Sequence, residues 1–439
     1  MRRLFAEDAL GSRGALPAPA VPVAVARPAS AEAVACLLAI CSEGRVPVVP
    51  YGAGTGLMGG ARSVRPGVVL DTARLSGIEV VPKDRYVWAG AGAVLADVDR
   101  ALAGHGLGLG HDPWTFPVAT VGGALSTNGL GYKGGRFGGM GDQALAIEVA
   151  LADGAVIRTK PLRRHSSGPD LARLFIGAEG TLGVITAAAL RAQPLPERIE
   201  LRAFRFDSFA DGFAAIDEIS ALGLRPSLLD YGEEHASFWP ELIQRAEEPP
   251  CLYLGFEGLS EEVEASLRRS ETVIDRAGGR ELPQDLAQRF WRDRHVVAER
   301  FARPRRRQQR RRRVGLAFDY LHVALPPSQV LAFRERCHAE AAAAGVALLE
   351  CGLWTGPDLF SAQLALPDAL GGHERLAAVN DSLLLTAQTL GGAMEYVHGA
   401  GLRLSHLMEE QHGSGQDVLR RLKAALDPEA ILNPGKLGL

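Results

Sequence analysis

Three kinds of group in this chain could do chemistry: backbone amides bared by glycine, a histidine in a glycine-flanked turn, and arginines at helical or clustered spacing. The densest glycine stretch is Pro50-Tyr51-Gly52-Ala53-Gly54-Thr55-Gly56-Leu57-Met58-Gly59-Gly60, entered by the apolar run Val46–Val49. Glycines directly after a strand leave N–H groups uncovered and free to approach an anion, usually a phosphate. Gly54 to Gly59 fits the letters G-x-G-x-x-G, the dinucleotide fingerprint of nicotinamide enzymes, but that fingerprint needs a helix to start within it. Here Pro66-Gly67 is turn chemistry and Val68 to Leu70 reads as a second strand. A glycine loop between two strands points to another kind of nucleotide cradle.

Two more blocks share this character. His111-Asp112-Pro113-Trp114-Thr115-Phe116-Pro117 runs into Ala119–Gly129 and then Gly134–Asp142, a loop so long that function is the usual reason for it. Gly177–Thr186 is a third glycine-bearing turn, leading into a strand. His398, in Val397-His398-Gly399-Ala400-Gly401, sits in a turn and not on an apolar helix face, which favours a chemical role over a backbone-satisfied one. Tyr320 and His322 are two apart on a strand and share a face, which looks either onto a cofactor or onto solvent. Arg294, on an amphipathic helix, reads equally as a salt-bridge residue or as a clamp for a carboxylate. His105 and His111, beside glycine turns, are expected to be structural. The run Arg303–Arg313 reads first as a solvated loop; the sharper options are an anionic lipid surface or a phosphate-bearing substrate. Nucleic acid is the weakest option, because no aromatic residues interleave with the arginines.

The elements that must hold these groups follow from the pattern around them. At 439 residues the chain is too long for one ordinary core, and two domains are expected. Hydrophobic content of 47%, charged content of 23% and a net charge of −3 fit a folded soluble protein and argue against bulk nucleic-acid binding. Five scattered cysteines without a C-x-x-C fit a reducing compartment and no zinc or disulfide frame, so a cytoplasmic protein is expected. Ser30 caps a helix from Ala31 to Glu43. Ile147–Ala152, Asp153-Gly154 and Ala155–Thr159 read as a β-hairpin. Pro194 and Pro196 mark a boundary, after which glycine thins out and strands alternate with helices in an α+β layer. The expected units are 1–195, 196–394, and a C-terminal segment 395–439 that returns to the first.

These blocks, in this order, resemble the FAD-linked oxidases of the vanillyl-alcohol-oxidase type, most specifically in Pro50–Gly60, Ala119–Gly129, Gly177–Thr186 and the closing Asn433-Pro434-Gly435-Lys436. The resemblance implies an α+β fold: a PCMH-type FAD-binding domain plus an α+β cap domain with a mainly antiparallel sheet and helices. It implies that Gly52, Ala53, Gly54, Thr55 and Gly56 cradle the FAD pyrophosphate. Pro113, Thr115, Thr120, Gly123, Ser126, Asn128, Gly129, Glu179, Gly183 and Ile185 would line the remainder. Relatives that tether FAD covalently carry a histidine in the first loop where this chain has Thr55, so non-covalent FAD is expected.

Within the family, the layout looks like D-lactate, glycolate and D-2-hydroxyglutarate dehydrogenases. Trp291-Arg292-Asp293-Arg294 matches their Trp-x-x-Arg, whose arginine holds the substrate carboxylate, and His398 matches the histidine of their Glu-His-Gly-x-Gly, a base for the substrate hydroxyl. Those enzymes hold a divalent metal through a His-x-Gly-Asp-Gly-Asn-x-His run and the glutamate of Glu-His-Gly. The corresponding Cys351–Phe360 has no histidine and Val397 replaces the glutamate, so no metal site of that kind is expected. Ser166-Ser167-Gly168-Pro169-Asp170 and the metal-free His-Gly-x-Gly also look like alkylglycerone-phosphate synthases, which carry consecutive histidines where this chain has Tyr396-Val397.

The favoured expectation is an FAD-dependent oxidoreductase acting on a 2-hydroxy acid or related small alcohol, with His398, Arg294, Tyr320 and His322 as candidate catalytic residues. A metal-free alkyl-transfer enzyme is the alternative, and a flavin-binding subunit with an inactive site the third. Expected partners are a small-molecule substrate, an electron acceptor that the sequence does not name, and further copies of the chain in a homo-oligomer. No nucleic-acid partner is expected, and membrane contact would be peripheral, through Arg303–Arg313.

Overall fold

The computed structural model describes residues 2–10, 16, 18–234, 248–296, 298, 316–367 and 372–439. Their strands gather into three sheets. β1 (Ala24–Ala26), β2 (Val48–Tyr51) and β3 (Val68–Asp71) form a small parallel sheet in the order β1-β3-β2. Helix α1 (Ala31–Glu43) precedes β2; Ser30 Oγ accepts from Ala33 N at 3.2 Å, and Val34, Leu38 and Cys41 pack with Val48 and Leu70. Parallel neighbours need a crossover, and between β2 and β3 it is the first glycine loop.

The second sheet holds β4 (Ile78–Val81), β5 (Tyr86–Gly90), β6 (Leu107–Leu109), β7 (Ala144–Ala150), β8 (Val156–Arg158) and β9 (Val184–Pro194). Its order is β4-β5-β9-β7-β8, antiparallel throughout, with β6 paired to the end of β9. Helix α2 (Leu95–Ala103) buries Leu95, Val98 and Leu102 against it. The block Ala119–Gly129, expected as loop, contains a short helix α3 (Val121–Ser126). Its glycines serve close approach: a Cβ on Gly122 would lie 2.6 Å from the Ala91 Cβ and 3.1 Å from the Ala91 carbonyl.

Between Pro194 and Arg198 the chain leaves this sheet for a seven-stranded one. This holds β10 (Arg198–Arg205), β11 (Leu228–Glu234), β12 (Glu248–Gly258), β13 (Arg280–Glu281), β14 (Leu316–Ala324), β15 (Ala347–Trp354) and β16 (Leu359–Pro367), ordered β13-β10-β12-β11-β15-β16-β14 and antiparallel throughout. Helices α4 (Phe209–Ala221), α5 (Ser260–Arg276), α6 (Gln284–Asp293), α7 (Pro327–Ala344) and α8 (Gly372–Thr389) accompany it. Phe213 and Ile216 of α4, Phe333 of α7 and Leu383 of α8 share a core with Leu254, Phe360 and Leu364 of the strands. Burying one such side chain is worth about 1.5–3 kcal/mol, so this face holds the helices in place.

The last segment ties the two halves together. Ala393 and Glu395 form bridges to Ala324 and His322 of the edge strand β14. After helix α9 (Gly415–Leu426), Leu432 bridges to Val48 of β2. Asn433 Nδ2 donates to Gly60 O at 2.8 Å and Glu179 O at 2.6 Å, and Lys436 Nζ donates to Arg62 O at 2.5 Å. Among the described residues no helix is long and apolar enough to cross a membrane. Arg303–Arg313 lies outside the described residues.

Candidate functional site

The three glycine blocks, far apart in sequence, converge on one cleft with about 1230 Å³ of atom-free space, open mouth included. Gly52 to Gly56 line it with Asp8, Tyr51 and Thr72, as do Pro113 to Thr115, Thr120, Gly123, Ser126 and Gly129. Glu179, Ile185, Val397 and His398 complete the lining.

The first loop needs glycine. Gly54 has φ +69°, and a Cβ there would sit 2.1 Å from the Tyr51 hydroxyl oxygen. On Gly52 a Cβ would sit 2.5 Å from Thr120 Oγ1. Tyr51 is fixed below, its hydroxyl donating to Glu7 O at 2.9 Å and its carbonyl accepting from Thr72 Oγ1 at 3.2 Å. The extended N-terminal lead-in therefore reaches the site. Asp8 Oδ2 accepts from Ala61 N at 3.2 Å, and burial pushes its carboxyl up to about 6.

Glu179 is buried at φ +49°, with Oε1 accepting from Gly401 N at 2.8 Å. Burial pushes its carboxyl up to about 7, against amide hydrogen bonds from Gly401 and Ala400. Lys436, buried nearby, is pushed down to about 8 by the same desolvation. Thr120 Oγ1, Glu179 Oε2 and both ring nitrogens of His111 are buried without a hydrogen-bond partner. Buried polar atoms are nearly always satisfied, so orphans on one cleft mark a polar ligand. Loop amides, hydroxyls and small residues suit the phosphates and ring of FAD.

Tyr320 and His322 of β14 are not among the residues that line the cleft; they stand next to His398, which is. Tyr320 and His322 share one face, rings 6.3 Å apart and stacked, with Gln363 Nε2 donating to the Tyr320 hydroxyl at 2.9 Å. That face looks onto the turn carrying His398, whose ring meets the His322 ring edge to face at 4.6 Å. Glu395 Oε1 accepts from the N–H groups of Tyr396, Val397 and His398 at 3.1, 2.7 and 2.9 Å and lies 3.7 Å from His398 Nδ1. Burial alone would raise the Glu395 carboxyl, but His398, His322 and the Val397 amide outweigh it and hold it low. Burial, then the neighbouring His398, pushes His322 down to about 3, so it stands neutral.

Several expected residues lie elsewhere. Arg294 does not line the cleft: its Nε binds Asp112 Oδ2 at 3.0 Å, its side chain also donates to Trp291 O, and its guanidinium lies 3.7 Å over the Trp291 ring. The carboxylate it clamps belongs to the protein. His295 joins it, with Nε2 2.8 Å from Asp112 Oδ1 and Nδ1 3.1 Å from Trp114 O. Burial pushes Asp112 up, yet the His295 hydrogen bond and the charges of Arg294, His295 and Lys133 bring it below its ordinary value. Asn128 and Gly183 also stay out of the lining. Asn128 Oδ1 accepts from Gly141 N at 2.9 Å, and Gly183 packs against Val149 and Phe175. His111, expected to be structural, lines the cleft; burial pushes it down to about 4, so it is a neutral imidazole. Val397 faces the cleft, and Cys351–Phe360 runs along β15 and the turn into β16 without a histidine.

A glycine cradle between parallel strands, beneath a capping antiparallel sheet, defines a flavin-dinucleotide protein. The family description "FAD binding domain" matches residues 22–160, and "FAD linked oxidases, C-terminal domain" matches residues 195–437. The chain belongs to the FAD-linked oxidase family, and FAD is its cofactor. It is 31% identical over 423 residues to a D-lactate dehydrogenase of Archaeoglobus fulgidus, covering 94% of this chain and 90% of that protein. It is 28% identical over 433 residues to the glycolate oxidase subunit GlcD of Bacillus subtilis, covering 95% and 89%. In fold it is similar to a 4-ethylphenol oxidase from Gulosibacter chungangensis, with TM-score 0.73, 18% identity and coverage of 94% and 88%. It is also similar to an alkyldihydroxyacetonephosphate synthase, with TM-score 0.69, 18% identity and coverage of 93% and 76%.

Proposed function

We propose that this chain oxidises a 2-hydroxy acid of the D-lactate or glycolate type, or a related small alcohol, with FAD held non-covalently. The observation that carries the reading is His398, an imidazole lining the FAD cleft and buttressed by Glu395 and His322. FAD, when held by the glycine loops, would supply the acceptor for the hydride of the hydroxyl-bearing carbon. His398 takes the hydroxyl proton on a ring nitrogen, and the product leaves as the 2-oxo compound. Neutral His322 packs the imidazole from one side, while Tyr320, fixed by Gln363, closes the face behind it. Arg294 works one layer out by holding Asp112, and through it the Pro113–Thr115 wall. Thr55, where a tethering histidine would stand, supports dissociable FAD. The names of the two curated relatives support the substrate class.

Turnover of the purified chain with a panel of D-2-hydroxy acids and an artificial electron-accepting dye tests the reading. Dye reduction with at least one acid is expected. Inertness toward every acid, together with activity on an acyl ether-lipid precursor, would move the chain to alkyl transfer.

A further inference from the structure

The turn that carries His398 contains more ligand atoms than a base requires. His322, Glu395 and His398 each offer one ligand atom, and these lie within 4.8 Å of one another. The bridge between β14 and the last segment creates the cluster, because it sets Glu395 beside His322 in register. His398 then follows within the same turn, three residues on, with Gly399 at φ +80° behind it.

Hydrogen bonding leaves this cluster incomplete. Glu395 Oε1 is used by three backbone N–H groups, which fix the carboxylate. Glu395 Oε2, His322 Nδ1 and His398 Nδ1 are buried with no hydrogen-bond partner. The Glu395 side chain is only 5% exposed, so water does little for it. Three unsatisfied lone-pair atoms of two imidazoles and a carboxylate, converging from fixed backbone, form a ligand set for a positive ion.

We propose that His322, Glu395 and His398 bind a divalent transition-metal ion, of the zinc class, at the wall of the FAD cleft that His398 lines. Two imidazoles and one carboxylate are a common three-ligand set that leaves a coordination position open. Metal–ligand distances of about 2.0–2.2 Å put neighbouring ligand atoms roughly 3.4 Å apart, so small side-chain rotations close the set from its present spacing. These three are not the positions of the family's metal run, where Cys351–Phe360 has no histidine and Val397 replaces the glutamate. Arg403, the arginine whose charge reaches His322, is held by Asp319.

The consequence for activity rests on the hydroxy-acid reading; the site itself does not. A neutral imidazole has one free lone pair. Once the ion takes it from His398, the other ring nitrogen carries the proton and cannot accept one from substrate. Metal loading and base catalysis then exclude each other, and the ion acts as an inhibitor held by the site.

The test titrates the FAD-loaded, chelator-treated protein with zinc alone, reading bound metal and retained flavin, beside His322→Ala and Glu395→Gln. About one zinc per chain is expected. Affinity should fall by more than about tenfold in both variants, since even outer-shell losses cost that much, while flavin content and the thermal midpoint report folding. No stoichiometric uptake, or equal uptake by the folded variants, would overturn the site. Dye-coupled turnover of a D-2-hydroxy acid, measured with and without zinc, separates the two readings. Inhibition at the stoichiometry of binding supports both. Zinc bound without any turnover, loaded or stripped, leaves the site and sinks the hydroxy-acid reading. Zinc that binds and activates leaves the site and overturns His398 as the base. Turnover by a chain that takes up no zinc does the reverse.

Discussion

His398 keeps its place through its own turn. The carboxylate that gathers three successive N–H groups also sits 3.7 Å from the imidazole, so backbone shape and base orientation share one residue, Glu395. Replacing His398 by Asn keeps a polar side chain but removes the proton acceptor. Turnover of a hydroxy acid should fall about 10²–10⁴-fold, with flavin content unchanged in the absorbance spectrum. Glu179 makes a second prediction, on stability. Burial lifts its carboxyl from 4.5 to about 7, so between those values the folded chain holds a proton that the unfolded chain releases. Stability from this group is full below about pH 4.5 and is lost as pH rises toward about 7; Asp8, raised to about 6, adds in the same sense. In flavin-free protein, the thermal midpoint of the wild type should fall relative to Glu179→Gln across that window. Parallel profiles would contradict the assignment.

At the scale of elements, the cleft wall is clamped from outside. The end of α6 delivers Arg294 and His295 to Asp112, and His295 also stacks on Phe116 at 5.7 Å. Arg294→Ala leaves a buried carboxylate with one partner fewer, and breaking such a pair costs about 3–5 kcal/mol. The midpoint of urea unfolding should drop accordingly, and Arg294→Lys, which keeps the charge, should hold KM near the wild-type value. A large rise in KM for Arg294→Lys at unchanged stability would mean that the arginine meets substrate after all. The sequence makes most elements visible here, because apolar runs bounded by Pro and Gly mark β2, β3 and the helices of the second half. It hides α3. Two glycines cost a helix about 0.5–1 kcal/mol each relative to alanine, and only tertiary packing of Gly122 on Ala91 repays them. It also gives no sign that His111 lines the cleft, since spacing carries no record of a buried ring with both nitrogens unpartnered.

Over the whole molecule, the chain ends are part of the site. Asp8 near one terminus and Lys436 near the other meet around the first glycine loop, through Ala61 and Arg62. The closing Asn433-Pro434-Gly435-Lys436 is legible as a family motif, but its task as a staple onto Gly60, Arg62 and Glu179 is visible only in three dimensions. Asp8 and Glu395 escape sequence reasoning for the same reason: each acquires its role from a partner brought near by topology. Lys436→Met strands the buried Arg62 and Pro434 carbonyls, at about 1–3 kcal/mol for lost hydrogen bonds. It should lower both thermal stability and FAD occupancy, measured as flavin per chain after gel filtration. The central claim, hydride transfer from a 2-hydroxy acid into the FAD cleft, is tested most directly by anaerobic single turnover. The purified chain is mixed with its best D-2-hydroxy acid, unlabelled or deuterated at the hydroxyl-bearing carbon, while flavin absorbance is followed. Bleaching of the oxidised flavin band, slower with the deuterated acid, is the predicted result. A flavin that stays oxidised with every acid offered, or bleaches with no isotope dependence at any pH, would contradict the account.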